Sequence, residues 1–247
     1  MTDVLFVCFL SILAGFIDSI AGGGGLITIP MWTLVLGPGA GVVATNKVGA
    51  FASSLMALLV YRRHGALSWR KGRAFLPAIF AGAVLGSRLT ALVPQLWFSY
   101  LLLALCPLIL AVVWRKELLF AQRNFSEQSS LVLAGAGLLV GLYDGFFGPG
   151  GGTFMLLALL LLTAMPLFEA LTLSKLANTL SAGSSLASFA LQDLVDWRWG
   201  AVGGGSILLG AFVGARLTTR RSSGVVRPAL AFVVALLMLK LARDLWG

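Results

Sequence analysis

The sequence predicts an all-α integral membrane protein made of two inverted-topology repeats of helices, and three observations carry that expectation. Of its 247 residues, 59% are hydrophobic and only 11% are charged, against about 25% charged in ordinary soluble domains. The apolar residues run in stretches of about 20, the length that crosses a bilayer, which allows roughly eight to ten membrane segments. The second half of the chain also repeats the first, with the charges of its loops exchanged. This composition excludes a soluble enzyme, a secreted scaffold and a nucleic-acid-binding module. The net charge of +9 fits cytoplasmic loops, which collect Lys and Arg in membrane proteins.

Taken in order, the first half gives apolar runs at 4–21, 26–36, 44–61, 74–92 and 97–114. The second gives 131–147, 154–165, 170–191, 201–217 and 226–241. The run at 4–21 lacks a basic leader and continues into further apolar segments, so it is expected to belong to the mature protein rather than to a signal peptide. The second run of each half is short: Gly37-Pro38-Gly39 ends one and Pro166 the other. At 1.5 Å per residue these reach about 16–20 Å, well below the roughly 30 Å hydrocarbon core. The first two segments of each half are therefore expected to form a hairpin or broken helix. The chain divides into a first repeat at 1–114, a polar, net-positive cytoplasmic linker at 115–128 and a second repeat at 129–247.

The repeat rests on matched residues. Gly15-Phe16-Ile17-Asp18 followed by Gly22-Gly23-Gly24-Gly25 recurs as Gly141-Leu142-Tyr143-Asp144 followed by Gly148-Pro149-Gly150-Gly151-Gly152. Lys47 matches Lys175, Ser53 matches Ser181, and Trp69-Arg70 matches Trp197-Arg198, each 128 positions on. Gly82, Gly86 and Arg88 match Gly210, Gly214 and Arg216 at the same spacing. The loop at 62–73 carries Arg62, Arg63, Arg70, Lys71 and Arg73, whereas its counterpart carries Asp193, Asp196 and Arg198. The next turn is uncharged in the first half but contains Arg220 and Arg221 in the second. Basic loops lie on the cytoplasmic side, so equivalent loops face opposite sides. Each half then needs an odd number of crossings, and both termini are expected outside.

Paired short, glycine-interrupted segments are the best sequence pointer to a transporter's binding site. Gly22, Gly23, Gly24 and Gly25 precede one short helix and Gly150, Gly151 and Gly152 the other. Helix N-termini offer unpaired N–H groups and the positive end of a dipole, and together two such ends suit a small anion; the alternative is glycines that serve only close packing. Lys47 and Lys175 lie in apolar surroundings, where a lysine costs at least about 2.5–3.5 kcal/mol unless paired or hydrated. They could neutralise a bound anion, snorkel to the interface, or pair with Asp18 or Asp144. Asn46, Thr45, Ser174 and Asn178 could donate to an oxyanion or stitch helices together. Asp18 and Asp144 are candidates for proton coupling or for a structural ion pair.

Other chemistries lack their parts. Cys8 and Cys106 lie inside apolar runs and read as small buried residues. His64, the single histidine, reads as a solvated loop residue. No metal cluster, catalytic triad or cofactor motif is expected, and no catalytic residue is assigned. Trp69 and Trp197 suit an aromatic belt, while Arg88 and Arg216 suit interface anchors.

The glycine-run motifs, together with Asn46-Lys47 and the Trp-Arg pairs, resemble the sulfite exporter TauE/SafE family over nearly the whole chain. That resemblance implies a permease of the bacterial plasma membrane that moves sulfite or small organosulfonates such as sulfoacetate, usually outward, and it carries the site onto the glycine runs, Lys47 and Lys175. The expected function is a secondary transporter exporting a sulfur-containing oxyanion by alternating access, with proton coupling as an option. An anion channel, or a transporter of another small anion, is the alternative. The expected partners are that anion and the lipid bilayer, with homo-oligomerisation left open.

Overall fold

The computed structural model describes residues 2–64, 69–94 and 128–220. The linker at 115–127, the segments predicted at 97–114 and 226–241, and Cys106 lie outside them. Among the described residues every regular element is helical: α1 (Thr2–Ala21), α2 (Gly25–Leu36), α3 (Ala40–Arg62), the single turn α4 (Trp69–Gly72), α5 (Phe75–Ala91), α6 (Ser130–Phe146), α7 (Gly151–Leu162), α8 (Leu167–Ala190) and α9 (Trp197–Arg220). Three of these are long and apolar enough to cross a membrane: Asp3–Ala21, Ala40–Arg62 and Trp197–Arg220.

All eight apolar runs predicted within the described residues are helices, with differences at their ends. Helix α3 starts at Ala40, immediately after the Gly-Pro-Gly break, four residues earlier than hydropathy alone indicates. Helix α9 starts at Trp197 because the Asp196 carboxylate accepts the Trp199 N–H at 3.0 Å, the cap that an aspartate supplies to unpaired first-turn donors. Helix α7 takes in Gly151 and Gly152. Helices α2 and α7 have 12 residues each, about 18 Å of rise. Both are apolar on nearly every side, so both are sunk in the protein. Ile29 and its counterpart Met155 are fully buried, each in one of two apolar clusters.

The two halves pack by exchange. Helix α1 of the first half lies along α9 of the second, and α6 of the second lies along α5 of the first. Helix α3 likewise packs on α9 as α8 packs on α5, while α3 and α8 meet each other. The same residues make both crossings. A Cβ on Gly210 would fall 1.8 Å from the Ile12 carbonyl oxygen, and one on Gly82 would fall 2.3 Å from that of Leu138. Gly15 sits on Ile207 and Ala211 as Gly141 sits on Ile79. Lipid offers helices no hydrophobic reward for meeting, so glycines that bring backbones into contact hold the crossings together.

One region breaks the symmetry. Trp32 of α2 fills the space over Gly203 of α9, its ring 2.6 Å from where a Cβ would stand, with the buried Ser11 hydroxyl alongside. The counterparts of Trp32, Gly203 and Ser11 are Ala158, Phe75 and Gly137. There Phe75 fills the space from the α5 side, 3.1 Å from a Cβ on Gly137, with Ala158 packed beside its cluster.

Gly210→Ala is expected to lower stability by about 1–3 kcal/mol through forced separation of α1 and α9. Gly205→Ala on the same helix meets nothing within 4 Å and should be neutral or slightly stabilising. Thermal unfolding of the two variants in detergent checks this; equal shifts would mean that backbone contact does not hold the crossing.

Candidate functional site

Each glycine run lies between a helix that ends and a short helix that begins. Gly22 and Gly23 have φ of +78° and +98°, and Gly148 and Gly150 have +94° and +75°, values that glycine adopts without a steric cost. These angles reverse the chain within a few residues, so α2 and α7 start deep in the protein. The two loops then pack on each other. A Cβ on Gly22 would strike the Gly152–Thr153 backbone at 2.5 Å, and one on Gly25 would lie 3.3 Å from Pro149. The Thr153 hydroxyl donates to the Ala21 carbonyl at 3.0 Å, joining the ends of the two loops.

The duplicated charges lie just behind the loops, and they pair across the halves. Lys47 of α3 donates to the Asp144 carboxylate of α6 at 2.8 Å and also to the Asp144 main-chain carbonyl. Lys175 of α8 lies 3.8 Å from the Asp18 carboxylate of α1 and donates to the Asp18 main-chain carbonyl. Each aspartate also accepts from a serine of its own half: Ser53 donates to Asp18 at 2.7 Å and Ser181 to Asp144 at 2.6 Å. Asp18 further accepts the Gly24 N–H at 3.1 Å. The Lys47 ammonium sits against Gly148, 3.2 Å from where a Cβ would be, and a Cβ on Gly151 would overlap the Asp144 carboxylate. Both lysines are 1% exposed. Of the roles open to them in the sequence, the structure shows the ion pair, made with the aspartate of the opposite half.

The amides divide. Asn46, 4% exposed, accepts the Thr28 hydroxyl on its oxygen, and its amide nitrogen lies beside Gly25 with no hydrogen bond. Asn178, also 4% exposed, makes no hydrogen bond among the described residues, and its amide nitrogen faces Gly152. The N–H groups of Gly23 and Gly150 have no partner among the described residues either. Ser174 and Thr45 are turned elsewhere: Ser174 donates to the Leu171 carbonyl of its own helix at 2.8 Å, and Thr45 accepts the Asp196 N–H. Ser53 and Ser181 were visible as a matched pair in the repeat, but sequence reasoning gave them no role. Arg88 and Arg216 are exposed at helix ends away from this cluster. Among the described residues no group of His, Cys, Asp and Glu comes together as a metal ion would require.

Two crossed Lys–Asp pairs behind two facing glycine loops are what the duplicated motif builds, and its closest description lies among known sequences. The signature of the family described as Sulfite exporter TauE/SafE matches residues 7–241. The chain belongs to the TauE/SafE family. Among its relatives, the "Probable membrane transporter protein YfcA" of Escherichia coli (strain K12) is 34% identical over 255 residues, covering 100% of this chain and 91% of the relative. The "Probable membrane transporter protein" of Haemophilus influenzae is 32% identical over 250 residues, covering 98% and 96%. The "Probable membrane transporter protein ORF9" of a Sinorhizobium species is 32% identical over 244 residues, covering 97% and 92%. No solved structure matches the chain. With its apolar helices and bacterial relatives, this TauE/SafE protein is a multi-pass membrane transporter of the bacterial inner membrane.

Breaking a buried pair on one side strands a charge and costs about 3–5 kcal/mol. Lys47→Met and Asp144→Asn should each destabilise strongly, and the double variant should fall short of their sum by about 0.5–3 kcal/mol. Lys47→Met combined with Asp18→Asn, the aspartate of its own half, should show little coupling. A double-mutant cycle read by thermal unfolding distinguishes the two pairings.

Proposed function

We propose that this TauE/SafE transporter exports a small sulfur-containing oxyanion, sulfite or an organosulfonate, by alternating access of two inverted repeats. The repeats would be 1–114 and 129–247, joined by a cytoplasmic linker at 115–128, with both termini outside. One observation carries the reading: two facing glycine loops with free Gly23 and Gly150 N–H groups, and an Asn178 amide without a hydrogen bond that lies against Gly152 of the second loop. Donors without acceptors suit an oxyanion, which would take several of them at once.

The residues assigned to the substrate are Gly22, Gly23, Gly24, Gly25, Asn46, Gly150, Gly151, Gly152 and Asn178. Lys47 and Lys175, with their aspartates, fix the position of the loops from behind. Ser174 would join the site only if it released its own helix. The exchange of contacts supports alternating access: movement of one half relative to the other would change both the α1–α9 and the α5–α6 crossings. A proton taken up by Asp18 or Asp144 as its lysine moves away would couple that motion to the proton gradient. The sulfur chemistry of the substrate rests on the family.

Sulfite should raise the unfolding temperature of the purified protein in detergent, and the protein should carry labelled sulfite across proteoliposome membranes. Asn178→Leu, which removes an amide that makes no hydrogen bond among the described residues, should leave the fold intact while weakening stabilisation by sulfite about tenfold. Lys47→Ala, destabilised by the stranded Asp144 charge, should lose transport when compared with wild type at equal amounts of folded protein in the membrane. Undiminished transport in Lys47→Ala and unchanged binding in Asn178→Leu would place the substrate elsewhere.

A further inference from the structure

Among the described residues four charges are buried, Asp18, Lys47, Asp144 and Lys175, and they sum to zero. Each ammonium is held on a carboxylate and on the main-chain carbonyl of the same aspartate. An anion arriving at the glycine loops therefore meets no uncompensated positive charge. It meets dipoles: the N–H groups of Gly23 and Gly150, the amide of Asn178, and the Asn46 nitrogen whose own oxygen is occupied by Thr28.

Dipoles and net charges respond differently to the charge of a ligand. Attraction to fixed dipoles grows in proportion to that charge, whereas the Born cost of taking the ion out of water grows as its square. Doubling the charge doubles the return and quadruples the penalty. A site offering excess positive charge would escape this limit, but here each lysine's attraction is offset by an aspartate a few ångströms away.

We propose that the site selects singly charged oxyanions over doubly charged ones of the same shape, with Asp18 and Asp144 as the specificity-determining residues. This rests on the glycine loops being the oxyanion site. Sulfite would then be carried as hydrogensulfite, and an organosulfonate with a single charge would be accepted without protonation. The aspartates act through the lysines they neutralise: removing one carboxylate charge leaves a lysine free to offset a second negative charge on the ligand.

The test is binding to the purified full chain in detergent at constant ionic strength, by titration calorimetry and thermal shift, with methanesulfonate against sulfate. Both are tetrahedral at sulfur and of similar size; sulfate has a fourth oxygen where methanesulfonate has a methyl group, and with it the second negative charge. Wild-type protein should bind methanesulfonate at least about tenfold more tightly. Asp144→Asn should shrink that ratio about tenfold or invert it, and Asp18→Asn does the same test on the other pair if the first variant fails to fold. For sulfite in the wild type, apparent affinity should fall as rising pH removes the hydrogensulfite form, while methanesulfonate affinity stays level over the same range. Sulfate binding as tightly as methanesulfonate, or a ratio unmoved in both folded Asn variants, overturns the proposal and leaves the oxyanion site standing. Folded wild-type protein that binds none of the three anions overturns the oxyanion site itself, and the charge selection with it.

Discussion

A lysine inside a bilayer needs a partner, and in this protein the partner comes from the other half of the chain. Lys47 and Lys175 sit on α3 and α8, the two helices that meet each other across the halves, while Asp144 and Asp18 sit at the ends of α6 and α1. Each half carries one buried lysine and one buried aspartate, yet both pairs are made between the halves. The exchanged pairs thereby set where α1 and α6 stop and how their chains turn. The glycine runs can face each other because the carboxylates just before them are fixed from across the interface. Ser53 and Ser181 complete the arrangement by occupying acceptor positions on the aspartates that water would otherwise claim.

Much of this was legible in the sequence, and the exceptions share a cause. Hydropathy marked the helices, the Gly-Pro-Gly break and Pro166 marked the short ones, and the 128-residue register marked Lys47 and Lys175 as equivalents. These signals are local or periodic. Which aspartate each lysine would take was not legible, because Asp18 and Asp144 are equally plausible partners until the crossing of α3 and α8 is known. The roles of the small polar residues were hidden for a similar reason. Ser174 aligns with Asn46, yet it bonds back to its own helix, while Asn178, one turn further along α8, presents the amide to the loop. A one-turn displacement on the same helix face is invisible to residue-by-residue matching.

The helix crossings show a second constraint. Along α1–α9 and α5–α6, glycines place backbone against backbone, so packing takes the role that hydrophobic burial has in water. Such crossings define a close approach without interlocking side chains. The polar contacts across the halves include the two ion pairs, the Thr153 hydroxyl on the Ala21 carbonyl, the Thr90 hydroxyl on the Phe146 and Gly145 carbonyls, the Ser185 hydroxyl on the Ala83 carbonyl and the Asp196 N–H on the Thr45 hydroxyl.

The exchange of volume between Trp32 over Gly203 and Phe75 beside Gly137 bears on how far the two halves are interchangeable. One half supplies the bulky ring from its short helix, and at the equivalent place the ring comes from a long one. An assembly of two first halves would bring two tryptophans and two phenylalanines into spaces that each accept one ring. Two second halves would bring Ala158 and Gly203 twice and leave both spaces hollow. The halves are therefore complementary parts at this place: neither could stand in for the other without crowding or emptying both spaces.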